Sequence, residues 1–132
     1  MENAPTVWIV DDDEDDQLMI ETAFQEVIFP LAIKQLSDGD ELLPQLEKAP
    51  SLPKLILLDL NMQRMNGFDV LAELRTVPAY RKLPVVILTT SDNEDDKRKS
   101  LALGANGFLT KPCSLRAVIS MLRRLVSEWH LN

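Results

Sequence analysis

Three apolar runs of strand length punctuate the chain: Val7–Val10, Leu55–Leu58 and Val85–Leu88. Each is continuous rather than alternating, the pattern of parallel strands covered on both faces. Two weaker runs accompany them. Ala32–Leu36 carries Lys34 and Gln35 and suits an edge strand, and the short Gly107–Thr110 suits the opposite edge. Helical stripes lie between the runs. Ile20, Ala23, Phe24 and Val27 recur at helical spacing, and Pro30 marks their stop. Leu42, Leu43 and Leu46 predict a short helix that Pro44 bends or shortens. Phe68, Leu71 and Leu74 form a third stripe. The next segment is acidic from Asp92 and basic at Lys97–Lys99, as the helix dipole favours. Its apolar residues, Leu101 and Leu103, come only near the end, so its start should be weakly anchored. Leu115, Val118, Ile119, Leu122, Leu125, Val126 and Trp129 make the last and clearest stripe. The alternation βαβαβαβαβα predicts an α/β fold, a parallel sheet with helices on both sides and right-handed crossovers.

The 132 residues suit one domain able to bury its own core. The formal charge of −7 is local in origin: Asp11–Asp16 hold six of the 21 acidic residues, and the remaining 15 nearly balance 14 basic ones. No Lys/Arg stripe with interleaved aromatics points to nucleic acid. Cys113 is the only cysteine, which fits a reducing compartment. The segment MENAPT lacks the features of a secretory leader, and no apolar run approaches the roughly 18 residues of a membrane span. A cytoplasmic location without membrane attachment is the expectation.

In open parallel sheets the reactive site lies past the carboxyl ends of the strands. Asp11 and Asp12 follow the first strand, Asp59, Leu60 and Asn61 the third, Thr89 and Thr90 the fourth, Lys111 and Pro112 the fifth. If the first and third strands are neighbours, three carboxylates converge. Two charges 4 Å apart repel by about 4 kcal/mol at an effective dielectric near 20, so three need a proton or a cation between them. An all-oxygen site with few protein ligands suits Mg²⁺. Lys111 and Thr89 add a positive charge and a hydroxyl, and together these groups make a receptacle for a phosphoryl group.

Over essentially its whole length the sequence resembles the receiver domain of two-component response regulators. The resemblance is carried by VDDDEDD, LLDLNMQRMNGFDVL, PVVILTT and GANGFLTKP, in this order and at these separations. It implies a flavodoxin-like doubly wound (βα)5 fold with strand order 2-1-3-4-5. Asp59 is then the phosphoacceptor, forming an acyl phosphate with a phosphoryl group from a sensor histidine kinase, a histidine phosphotransfer protein or a small phosphodonor. Asp12 and Asp59 would ligate Mg²⁺ directly, Asp11 mainly through water, and the Asn61 backbone carbonyl would complete the protein ligands. Lys111 would hold a phosphoryl oxygen, Thr89 would reorient towards it, and Phe108 would move inward with Thr89. Lys111–Pro112 resembles the family's cis peptide, and Asn61 and Ser91 would flank the phosphoryl group. Asp13–Asp16 would open the first helix.

Gln63 stands where such proteins usually have proline, which frees a backbone N–H and predicts a looser loop with weaker Mg²⁺ affinity. Thr90 is bulkier than the common alanine and should slow access to the phosphoryl group. Taken singly, Asp59 reads as a loop carboxylate, Thr89 as a β-branched strand residue, and Phe108 and Trp8 as core. Cys113 reads as a structural thiol, and His130 as solvent-facing and not a phosphodonor. The last helix ends about where the chain ends, so a single domain over 1–132 with no fused output domain is expected, acting on a separate partner. The fourth helix, fifth strand and fifth helix are the expected output face, with Trp129 exposed there for a homodimer contact. Two other readings stand beside this one. A phosphohydrolase with Asp59 as nucleophile would want an acid where Asn61 stands, and a degenerate receiver would bind its partner without phosphorylation.

Overall fold

The computed structural model describes residues 6–28 and 32–131. Five strands, β1 (Thr6–Val10), β2 (Ala32–Leu36), β3 (Leu55–Leu58), β4 (Val85–Thr89) and β5 (Gly107–Thr110), form one parallel sheet in the order β2-β1-β3-β4-β5. The helices are α1 (Glu14–Val27), α2 (Leu42–Lys48), α3 (Gly67–Thr76), α4 (Glu94–Ala102) and α5 (Leu115–Glu128). This is the flavodoxin-like doubly wound fold. Among the described residues no helix is long and apolar enough to cross a membrane.

Alternate strand residues face opposite sides, so the continuous apolar runs feed two cores. Val7, Ile9, Leu57 and Leu88 pack with Phe24 of α1 and Leu122 of α5. Trp8, Val10, Leu58 and Ile87 pack with Leu42 and Leu46 of α2 and Leu71 and Leu74 of α3. Phe24, Leu71 and Leu122 are fully enclosed, each contributing about 1.5–3 kcal/mol by burial. Trp8 is core, as expected, with Lys34 Nζ 5.2 Å from its ring centroid.

Four of the five helices, α1, α3, α4 and α5, begin where a side chain takes up free backbone donors. The Asp13 carboxylate accepts the N–H groups of Asp15 and Asp16, and Glu14, Asp15 and Asp16 occupy the positive end of α1. Asn66, Asn93 and Ser114 cap α3, α4 and α5 in the same way. Pro44 lies in the first turn of α2, where a missing N–H costs nothing, so the helix is short without breaking there. Helix α4 buries only Ser100, in line with its weakly anchored start. Pro30, expected to stop α1, lies outside the described residues.

Three expectations need correction. Leu115 is 42% exposed, and Met121 belongs to the buried stripe instead. With 100° per residue, Leu115 falls on the flank of a stripe centred on Val118, Leu122 and Leu125. Trp129 is half-buried against the α1/α5 core rather than exposed. Cys113 is exposed and so packs in no core. After α5, His130 adopts φ = 52° and the N–H of Leu131 donates to the Val126 carbonyl at 3.0 Å. That left-handed turn folds Leu131 back into the core beside Val126 and ends the helix.

Candidate functional site: a carboxylate pocket at the strand ends

The pocket is built by extending the sheet one residue past its ladders. Asp11 N–H donates to Leu36 O at 3.1 Å, Asp59 N–H to Val10 O at 3.0 Å, and Lys111 N–H to Thr89 O at 2.7 Å. Three chemically active residues thereby inherit the alignment of the strands. Asp11, Asp12 and Asp59 each offer a carboxylate oxygen within 4.8 Å of the others. Oxygens on opposite sides of a common divalent cation at about 2.1–2.4 Å stand about 4.2–4.8 Å apart, so the donor set suits a hard cation such as Mg²⁺. Asp11 and Asp59 are buried and Asp12 is exposed, which leaves one side open to water.

Lys111 is the counter-charge. Its side chain is 10% exposed, and Nζ lies 2.7 Å from Asp11 Oδ2, 2.7 Å from Asp16 Oδ2 and 3.3 Å from Asp59 Oδ2. Burial works against the ammonium, but the bonds to Asp11 and Asp16 and the nearby Asp59 charge outweigh it and raise its pKa. Burial pushes the Asp11 carboxyl up to about 6, against the pull of Lys111 and of the Asp13 N–H. For Asp11, then, loss of water outweighs its cation. Asp59 Oδ1 accepts the Leu60 N–H at 2.7 Å and the Asn61 N–H at 3.5 Å, which leaves Oδ2 facing Lys111.

The supporting residues were not among the sequence expectations. Gln17, buried on α1, donates through Nε2 to Asp11 O at 2.6 Å and to Leu36 O at 2.9 Å, tying the helix to the ends of β1 and β2. Asp38, also buried, accepts the Arg64 N–H through Oδ2 and the Met65 N–H through Oδ1, both at 2.9 Å. The Arg64 guanidinium holds Asp40 through two bonds and also reaches Glu41. Gln63 is exposed and directly precedes this clamp, so the β3–α3 loop has a restraint that does not depend on proline. Gly67 is required by proximity: a Cβ there would stand 2.4 Å from the Asp59 carbonyl oxygen.

On the other side of the pocket, Thr89 is fully buried as the last residue of β4, rather than lying beyond the strand. Its hydroxyl accepts the Ser91 N–H at a long 3.4 Å. Ser91 Oγ donates to Asp96 Oδ2 on α4 at 2.7 Å, and Ser91 O accepts from Thr110 Oγ1 at 2.9 Å. Phe108, half-buried on β5, pairs with Ile87 and packs on the α2/α3 core. Pro112 is half-buried, while Asn61, Thr90 and His130 are exposed. Asp11, Asp12, Asp59 and Lys111 thus come together in one cluster; the Thr89 hydroxyl is engaged with Ser91 instead.

Known proteins resemble this chain along most of its length. The probable methanogenesis regulatory protein FilR2 of Methanothrix harundinacea is 31% identical over 127 residues, spanning 93% of this chain and 82% of that protein. Response regulator Rcp1 of Synechocystis sp. is 46% identical over 77 residues, 58% of this chain and 52% of that protein. The crystal structure of the phosphorylated cyanobacterial phytochrome response regulator RcpA matches with a TM-score of 0.89 at 32% identity, over 97% of this chain and 95% of that one. The manganese-bound form of response regulator Rcp1 matches at 0.83 and 34% identity, over 95% and 94%. The family model described as response regulator receiver domain matches residues 7–123. With the parallel sheet and the acidic pocket at its strand ends, this chain belongs to the response regulator receiver domain family of two-component systems.

Proposed function

We propose that the chain is a receiver that accepts a phosphoryl group on Asp59 from a sensor histidine kinase or a histidine phosphotransfer protein. The observation that carries this reading is the gathering of Asp11, Asp12 and Asp59 oxygens within 4.8 Å, with Lys111 Nζ against two of the three carboxylates. An Asp59 carboxylate oxygen attacks the phosphorus of a phosphohistidine; the P–N bond breaks, its electron pair stays on the imidazole, and an acyl phosphate results. Asp12, Asp59 and the Asn61 carbonyl would hold Mg²⁺ directly, with Asp11 acting through water. A bound divalent cation supplies charge neutralisation between the carboxylates and the phosphoryl oxygens. Lys111 donates to one phosphoryl oxygen. Thr89 lets go of the Ser91 N–H that it accepts and donates its hydroxyl to another phosphoryl oxygen, and Phe108 follows inward.

Signalling then acts through the surface of α4, β5 and α5 on a separate protein, without nucleic acid or membrane as partner, in the cytoplasm. The polar underside of α4 supports that choice, because little burial opposes its displacement. The test is incubation with acetyl phosphate and Mg²⁺, followed by intact mass. Wild type should carry one base-labile phosphoryl group and Asp59→Asn none. Continuous turnover of acetyl phosphate without an adduct would favour a phosphohydrolase, and an unmodified chain a degenerate receiver.

A further inference from the structure

Asp16 is the one carboxylate of the pocket that acceptor and metal roles leave unused. It sits in the first turn of α1, 27% exposed, with its side chain against Lys111 Nζ at 2.7 Å. An ammonium has three N–H groups, and here all three are taken, by Asp11, Asp16 and Asp59. The shares are unequal. The contacts to Asp11 and Asp16 have the length of strong charge-assisted bonds, whereas 3.3 Å to Asp59 is long for one. Asp16 cannot drift to relieve this, because the neighbouring Gln17 fixes α1 to Asp11 O and Leu36 O and Asp13 caps the Asp16 N–H. The Lys111 stem has some freedom: a void of about 20 Å³ opens beside it among Met19, Ile20, Leu88 and Met121.

We infer that Asp16 is a positioning residue that draws the Lys111 ammonium off Asp59 towards α1, so that only one N–H serves a phosphoryl group there and that group is held loosely. The inference rests on Asp59 being the acceptor. Asp16 thereby shortens the lifetime of the phosphorylated state without touching the reacting atoms. Removing the Asp16 carboxylate frees a second N–H for the phosphoryl oxygens.

Two measurements test this on the full chain. In metal-free crystals of Asp16→Ala, Lys111 Nζ should close on Asp59 Oδ2 to about 2.8 Å, while Asp16→Glu keeps the longer separation. After loading with acetyl phosphate and removal of the donor, Asp16→Ala should lose its phosphoryl group about fivefold more slowly than wild type. That factor corresponds to about 1 kcal/mol, and Asp16→Glu should restore the faster loss. An unmoved Lys111 in the Asp16→Ala crystals overturns the inference, as does a lifetime that is unchanged or shortened. Should wild type accept no phosphoryl group on Asp59, the acceptor reading falls, and the crystallographic distance alone still decides whether Asp16 restrains Lys111.

Discussion

Asp38 and Arg64 are bound across 26 residues of chain: the Asp38 carboxylate accepts the Arg64 backbone N–H at 2.9 Å, directly after Gln63. The second oxygen takes the Met65 N–H, so two successive loop donors end on one buried anion. Asp38→Ala is therefore expected to cost about 2–3 kcal/mol in urea unfolding and to weaken Mg²⁺ binding. Gln63→Pro should change stability by less than about 1 kcal/mol. Equal and large effects of the two variants would return control of the loop to position 63.

Gly67 couples the start of α3 to the acceptor strand. Its N–H donates to Leu60 O at 2.9 Å, and a Cβ would meet the backbone of Asp59 and Leu60, which cannot swing aside as a side chain would. Gly67→Ala should destabilise by roughly 2–4 kcal/mol and depress labelling by acetyl phosphate together with stability. A stable Gly67→Ala protein labelled at the wild-type rate would show that this approach is not tight.

Stability should have an unusual dependence on pH without divalent cation. Burial holds the folded Asp11 carboxyl at about 6, above its ordinary 3.8, so the folded chain binds this proton more tightly than the unfolded one. Stability therefore falls as pH rises from about 4 to 6, by up to about 3 kcal/mol. Asp38 acts in the opposite sense. Burial disfavours its charge, but the N–H groups of Arg64 and Met65 outweigh this and hold its pKa low. Its contribution is present above the ordinary carboxylate range and is lost as pH falls through the folded value. Lys111, raised above 10.5, stays charged throughout. Urea titrations in chelator should thus find maximal stability at about pH 4–5. Mg²⁺ at about a hundred times its Kd should add about 2.7 kcal/mol at pH 8, and much less at pH 5. A metal-free curve rising steadily from pH 4 to 7 would contradict the Asp11 value.

His130 carries the left-handed turn after α5, a conformation that costs a side-chain-bearing residue roughly 1 kcal/mol. His130→Gly should therefore raise the unfolding midpoint by the equivalent of about 0.5–1 kcal/mol. His130→Val, β-branched at the same φ, should lower it.

The central strands were legible because fully covered strands need unbroken apolar runs such as Leu55–Leu58, whereas the edge strands Ala32–Leu36 and Gly107–Thr110 are half-exposed and show only as weaker runs. Asp11, Asp12, Asp59 and Lys111 were legible as a group because each lies within two residues of the end of a strand. Asp16 was not, since an acid in a first helical turn has a sufficient local reason to be there, and its partner lies 95 residues away. Asp38 was hidden for the same reason, its partners being 26 and 27 residues distant. Leu115 misled because a stripe read from spacing has no sharp edges, and only neighbouring helices decide which flank meets water.

The sheet registers Val10↔Leu58 and Thr89↔Thr110 set Asp11 beside Asp59 and Lys111 beside the end of β4. A slip of one residue in either pairing would turn the following side chain to the opposite face and bury an acid or an ammonium among leucines. Chemistry and folding are thus proofread by one and the same step: a misaligned strand forfeits its reactive group and its hydrocarbon packing together.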